Sequence, residues 1–431
     1  MKLDEHKTIF SWAMYDWANS SFATTVMAVF FPIFFSEYWS SGVTENVNTS
    51  RIGNANSLAG LVIVFLAPVL GAIADRGSSR KKFLLFFAFI GIVMTSGLYL
   101  VSQGHWKPAF LLYVAALIGF SGSNIFYDSL ITNVASEKKL NIVSSLGFSL
   151  GYLGGGLLFL INVLMVLKPQ TFGFADRSQA VRFSFLTVGI WWAVFTIPLI
   201  LFVKEERKET TVSGFSVIAG GLRQFFDTFK NIRKNRTIFI FLLAYWFYID
   251  GVDSVIRMGV DYGKALHLQT NDLILAVLII QFIGFPAAIA YGYLGNRIGA
   301  KRGIFLAIAI YIGITIFGSF IKNEFHFYIL AVAIGLIQGG IQALSRSYYA
   351  KIIPIDKSAE YFGFYNMMGK FAVILGPVLV GYVSLFVANK SGDAMLGTRV
   401  SISSLSILLI IGGILLCFVR PNLKNNNRGL K

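Results

Sequence analysis

Two aspartates and one arginine, Asp250, Asp253 and Arg257, interrupt an otherwise apolar run that reads TIFIFLLAYWFYIDGVDSVIRMGV. At 3.6 residues per turn their Cβ directions fall within roughly 60° of arc, so a helix over this run carries them as one polar stripe. Other apolar runs hold comparable groups: Asp16 with Asn19; Asn124, Tyr127 and Asp128; Gln338, Gln342 and Arg346 at steps of four; and Asn366 with Lys370 one turn on. In apolar surroundings such groups can grip the charged ends of a solute, exchange a proton, or pair with one another. The histidines, His6, His105, His267 and His326, all fall in termini or connections, and no GxxxxGK[ST] phosphate loop occurs. Neither a metal nor a nucleotide cofactor is expected.

What these charges do depends on the solvent around them. The chain of 431 residues is 55% hydrophobic and only 13% charged, with 41 Phe, 42 Gly and 9 Pro. A soluble domain carries about 25% charged residues, so this composition is that of a membrane protein. Runs near 20 apolar residues, the length that crosses a hydrocarbon core, predict spans at 10–35, 52–74, 83–102, 109–134, 141–166, 183–203, 237–261, 271–294, 303–321, 327–350, 360–387 and 401–419. They are too long for barrel strands, and lipid leaves their backbones only helical hydrogen bonding. The first run exceeds a signal-peptide core and contains Asp16, so it reads as a retained span. An ionisable side chain at a helix centre costs about 2.5–3.5 kcal/mol, so exposing the 250–257 stripe to lipid would cost on the order of 8–10 kcal/mol. The stripe must face protein or water.

Lys and Arg crowd alternate connections: Arg76 to Lys82, Lys138 and Lys139, Lys204 to Arg236, Arg297 to Arg302, and Arg420 onward. The intervening ones hold isolated cations such as Arg51, Lys107, Lys168 and Lys322. This asymmetry predicts cytoplasmic termini in a plasma (bacterial inner) membrane. It accounts for most of the formal charge of +16 without a nucleic-acid partner. The membrane lipids are expected partners of that basic face. The sole cysteine, Cys417, excludes an intrachain disulfide.

Two connections six spans apart resemble each other: GAIADRGSSRKK, with Gly71, Asp75, Arg76 and Arg80, and GYLGNRIGAKR, with Gly292, Asn296 and Arg297. Glycine, an acid or amide four residues on, an arginine and then a basic pair resembles the loop signature of the major facilitator superfamily. Ser78 stands where a second glycine is usual, and Asn296 where an acid is. The resemblance implies an all-α membrane protein of twelve transmembrane helices in two pseudo-symmetric six-helix bundles. The bundles would span 1–203 and 237–431, joined by a cytoplasmic linker at 204–236 whose Phe215 to Ile232 repeat at helical spacing predicts a surface helix. It also implies that spans one, four, seven and ten line a central cavity, where the charged faces above belong. Three stretches, WAMYDWANSSFATTVMAVFFPIFF, GGIQALSRSYYAKIIP and EYFGFYNMMGKFAVILGP, are similar to the vacuolar-effluxer-like, autophagy-related permease branch, also called the unknown-major-facilitator family. For its vacuolar members that resemblance implies amino-acid efflux, and for bacterial members a transporter.

The expectation is a secondary active transporter, not an enzyme, moving a small polar or zwitterionic solute such as an amino acid by alternating access, coupled to protons and working as a monomer. Asn19, Asn124, Tyr127, Asp250, Asp253, Arg257, Gln338, Gln342 and Asn366 are the candidate cavity residues. Asp16, Asp128, Arg346 and Lys370 are the candidates for proton coupling or a cytoplasmic gate, with pairing of Asp128 and Lys370 as the specific expectation. The alternative is a lipid flippase or a transport-inactive sensor on the same fold. An intramembrane aspartyl enzyme with acids in YDSL and IDGVD is disfavoured, because the second lacks the expected G-x-G-D and the matched basic loops would go unexplained. Trp12, Tyr15 and Trp17 are expected as interface anchors, and the glycine runs Gly147–Gly156 and Gly369–Pro377 as close helix crossings, with Pro377 a kink site.

Overall fold

The computed structural model describes residues 3–77, 79–205, 227–266, 268–372 and 374–420. Twelve of its helices are long and apolar enough to cross a membrane: α1 His6–Trp39, α2 Val47–Arg76, α3 Arg80–Leu100, α4 Trp106–Val134, α5 Leu140–Leu167, α6 Arg177–Phe202, α7 Arg236–Gly259, α8 Asn271–Ile298, α9 Ala300–Gly318, α10 Glu324–Ile352, α11 Ile355–Ser391 and α12 Ala394–Cys417. Each coincides with one predicted span. Most run several residues past the apolar run, because a helix continues into the headgroup region while hydropathy ends with the hydrocarbon.

α1–α6 form one bundle and α7–α12 the other. Lipid offers no hydrophobic drive between spans, so packing, small residues and buried polar contacts hold them. Aromatic layers fill each bundle: Phe31 stacks on Tyr113 at 3.6 Å, and Tyr245 on Tyr365 at 4.1 Å. Trp12 and Tyr15 belong to this interior and are fully buried, which corrects their expected place at the interface. Trp12 lies flat on Tyr127, 4.4 Å away.

Among the departures from a regular α-helix, those in α1 and α11 shape the site. α1 widens into π-helical stretches at Phe22–Phe30 and Phe35–Trp39. Pro32 lies between them; it cannot donate, and its ring crowds the carbonyl of Ala28, which a widened turn accommodates. α11, predicted as one continuous span, consists of Ser358–Phe371 and Leu375–Ser391. Pro377 explains the break, because the carbonyl it would strike lies four residues earlier, at position 373 between the two segments.

The bundles meet along α5 with α8, α2 with α11, and α4 and α5 with α10. α2 packs against Ser358–Phe371, where a Cβ on Gly363 would sit 2.8 Å from Pro68 Cα. Leu375–Ser391 packs instead on α7 and α12. The expected linker helix lies largely outside the described residues. Its described end, 227–234, is helical and brings Phe229 within 6.3 Å of Phe364.

Candidate functional site

Arg346, on α10, is the centre of a polar cluster that joins the bundles near the basic face. Its Nε donates to Ser144 Oγ at 2.9 Å, and Nη2 to the Ser144 carbonyl at 2.8 Å. Nη1 donates to Asp128 Oδ1 at 3.0 Å, and Nη2 lies 3.5 Å from Asp16 Oδ2. Arg346 is only 2% exposed, and its guanidinium is enclosed by the rings of Phe148, Trp12 and Tyr127 at 4.3, 5.0 and 5.3 Å. Arginine suits this place because its planar fork serves carboxylate, hydroxyl and carbonyl at once, and stacks on aromatic faces. Both acids and Ser144 come from the first bundle, so the cluster exists only while the bundles touch here.

Local sequence explains the fit. Asp16 and Asn19 share a face of α1; Asn124, Tyr127 and Asp128 share a face of α4. Tyr127 Oη donates to Asp16 Oδ2 at 2.7 Å, and Asn19 Nδ2 to Asn124 Oδ1 at 2.6 Å. Gly147 lets α5 approach, since a Cβ there would meet Asp16, Tyr127 and Arg346. Asn366 donates to Asp128 Oδ2 at 3.3 Å.

A second tie lies nearer the basic face, at the first loop motif. Asp75 accepts from the backbone N–H of Ala359 at 3.1 Å and Glu360 at 2.8 Å, the first turn of α11. A carboxylate there meets unpaired amides and the positive end of the helix dipole. Arg80 pairs with the same carboxylate at 2.7 Å and reaches the Ile355 carbonyl at 3.3 Å. Gly71 brings the two backbones together, as a Cβ there would strike Ala359. Arg76 is exposed. Among the described residues the second motif makes no matching tie: Asn296 and Arg297 are exposed, while Gly292 packs on Ser145. At this pseudo-symmetric place Asn141 accepts from Ser347 at 2.8 Å and Lys351 at 3.0 Å.

The 250–257 stripe divides. Asp250 is fully buried and binds the start of the second α11 segment, accepting from Leu375 N–H at 3.0 Å, Gly376 N–H at 2.8 Å and Ser254 Oγ at 3.1 Å. This corrects its expected place on a cavity wall, since two of its three contacts hold the break in α11 and the third, from Ser254, lies on its own helix. Asp253 and Lys370 are half-buried and Arg257 is exposed. Asp253 interacts electrostatically with Arg257 and Lys370, and no ion pair joins the three among the described residues. The expected Asp128–Lys370 pair is therefore replaced: Asp128 binds Arg346 and Asn366, while Lys370, one turn further, lies within electrostatic reach of both Arg257 and Asp253 and makes no ion pair among the described residues. Gln342 is half-buried, and Gln338 has a buried Oε1 without a hydrogen-bond partner among the described residues.

Several joining residues were not singled out from sequence: Ser144 and Asn141 on α5, Thr132 hydrogen-bonded to Ser358 at 3.2 Å, and Gln281 donating to Thr24 at 2.7 Å. The signal for Gln281 was its isolation in an apolar run. Ser144 and Asn141 are polar positions beside the α5 glycines. The hydrogen bonds between bundles start at the basic face and reach no further than the Gln281–Thr24 level among the described residues. The structure is thus closed at the basic face.

A family model for vacuole effluxer Atg22-like proteins matches residues 41–428. The MFS-type transporter YxiO of Bacillus subtilis is 38% identical over 414 residues, covering 95% of this chain and 94% of its own length. Autophagy-related protein 22 of Yarrowia lipolytica is 22% identical, over 76% of this chain and 69% of its own. Among solved structures, the proton:xylose symporter XylE bound to 6-bromo-6-deoxy-D-glucose superposes with a TM-score of 0.73 at 12% identity, covering 96% and 95% of the two chains. The human organic anion transporter MFSD10 gives 0.68 at 14%, covering 96% and 100%. The twelve-helix fold, the match over nearly the whole chain and these relatives show that the chain is a multi-pass membrane transporter of the major facilitator superfamily and belongs to its vacuole effluxer Atg22-like family.

Proposed function

We propose that this transporter is a secondary active carrier for a small zwitterionic solute, an amino acid or close relative, driven by protons across a bacterial plasma membrane, with the basic face in the cytoplasm and the monomer as working unit. The observation that carries the reading is the division of charge. Arg346 closes one end against Asp16 and Asp128, while Asp253, Arg257 and Lys370 stand beyond it without direct pairing. An acid beside two cations supplies one group for an amine and two for a carboxylate.

The closed end supplies the coupling. Two carboxylates face one guanidinium, so one negative charge is left over, and a proton can enter or leave as the bundles part. Alternating access then consists of breaking the Arg346 and Asp75 ties on one face and forming contacts on the other.

The test is thermal stabilisation by a panel of amino acids, peptides, sugars and lipids. The expected result is a rise in Tm with one class of amino acid, absent in Asp253→Asn and Lys370→Gln. Stabilisation by sugars or lipids only, or unchanged stabilisation in both variants, contradicts the proposal.

A further inference from the structure

On the face opposite the basic loops, a cavity of about 350 Å³ opens between the ends of α2 and α4, lined by Arg51, Asn54, Trp106, Lys107, Phe110 and Leu111. None of these residues belongs to the gate or to the Asp253 cluster. The Arg51 guanidinium lies 3.8 Å from the Trp106 ring centroid, and its Nη1 donates to Ser40 Oγ at 2.5 Å. One ring face and one hydroxyl thus fix its plane, and its other N–H groups have no protein acceptor among the described residues. Lys107 is exposed and lies over the same ring at 5.9 Å. Among the described residues no acidic side chain lines the cavity. Two cations therefore converge here on the face where cations are sparse.

The surroundings specify what could neutralise them. Arg51, Asn54, Leu58, Leu61 and Phe65 recur at steps of three and four, so they form one line down α2. The three apolar members are 45%, 54% and 72% exposed. This line lies roughly a third of a turn from the Ala67–Gly71–Asp75 face that meets α11, so it borders lipid beside α4 and not the cleft between bundles. The cavity sits where α2 and α4 leave the apolar zone, the level at which tryptophan and long cations sit among headgroups. A cationic cup above an apolar track matches an amphiphile with an anionic head and an acyl chain. A water-soluble anion would leave the track unused.

We propose that this cavity binds the phosphate of an anionic phospholipid, with Arg51 and Lys107 on the headgroup and the α2 track along an acyl chain. Because Arg51 also holds the end of α1 through Ser40, the bound lipid braces the outer ends of α1, α2 and α4 together.

The test is native mass spectrometry of the full chain released from nanodiscs holding equal phosphatidylglycerol and phosphatidylcholine. The parent is expected to retain phosphatidylglycerol preferentially. Arg51→Gln with Lys107→Gln should lower that preference by roughly thirty-fold, and Lys107→Gln alone, a surface change that leaves the fold intact, by roughly fivefold, since each cation near an anionic lipid surface contributes a factor of that size. Arg51→Lys, which keeps the charge but not the stacked fork, should retain part of it. Equal retention of both lipids by the parent, or an unchanged preference in Lys107→Gln and the double variant, overturns the proposal. Thermal stabilisation by glycerol phosphate equal to that by phosphatidylglycerol would also overturn it, making the cavity a site for soluble anions.

Discussion

Replacing Arg346 by Gln should open the basic face. In the closed structure the guanidinium contacts two acids, a hydroxyl and a carbonyl, all from the opposite bundle, and it is almost wholly removed from water. Without it Asp16 and Asp128 remain buried beside each other with no cation in reach. Removing one partner of a buried pair costs about 3–5 kcal/mol because an uncompensated charge is left behind. That penalty falls on the closed state alone, since parting of the bundles lets water reach both carboxylates. At 1.4 kcal/mol per tenfold, the closed population should fall by about two to three and a half powers of ten relative to the open one. The assay is an interspin distance across the basic face, with labels on Lys138→Cys and Asp356→Cys, both exposed in the parent, in a Cys417→Ser background. The parent should show one short distance, and Arg346→Gln a longer and broader distribution. Arg346→Lys should fall between, as it keeps the charge but cannot serve Ser144 and Asp128 with one planar group. A distribution in Arg346→Gln that matches the parent would refute the gate.

Three further outcomes follow from the same contacts. Asp75→Asn keeps the shape but loses the charge at the start of α11 and the pair with Arg80, and should weaken basic-face closure by about 1–2 kcal/mol in the same distance assay. Gly363→Val should open that face too, because even its Cβ would meet the backbone of Ala67 and Pro68; the accompanying lengthening is read between the same labels. Asp250→Asn should act differently: Leu375 and Gly376 each donate to a different carboxylate oxygen, one of which becomes an NH2 facing a backbone N–H, so an unmet donor costs about 1–3 kcal/mol and lowers Tm, yet the basic-face distance stays as in the parent because α7 and α11 share a bundle.

The spans were legible because the hydrocarbon core imposes a length that few other constraints imitate. The fold followed from two loops that matched six spans apart. What one sequence does not carry is the rotation of each helix about its own axis. Asn366 and Lys370 share a face one turn apart, and that rise takes Asn366 to Asp128 and Lys370 past it, within electrostatic reach of Arg257 and Asp253. The acids and bases of the gate were therefore identifiable by type, while the choice of Arg346 over Lys370 was not. Asp250 was misplaced for a related reason: its partners are backbone amides exposed only because α11 breaks, and no residue type at Leu375 or Gly376 announces them. The break itself was partly readable from Pro377, whose clash reaches back four residues. Ser144 escaped notice because its role depends on a carbonyl as much as on its hydroxyl.

The unpaired charges beyond the gate are proposed to hold the transported solute. Uptake into proteoliposomes carrying an imposed pH gradient, measured with radiolabelled amino acids for the parent, Asp253→Asn and Lys370→Gln, tests this most directly. Gradient-driven accumulation in the parent, lost in both variants with their Tm kept, is the predicted result. Accumulation by both variants at the parent's rate, or none by the parent for any amino acid, would contradict it.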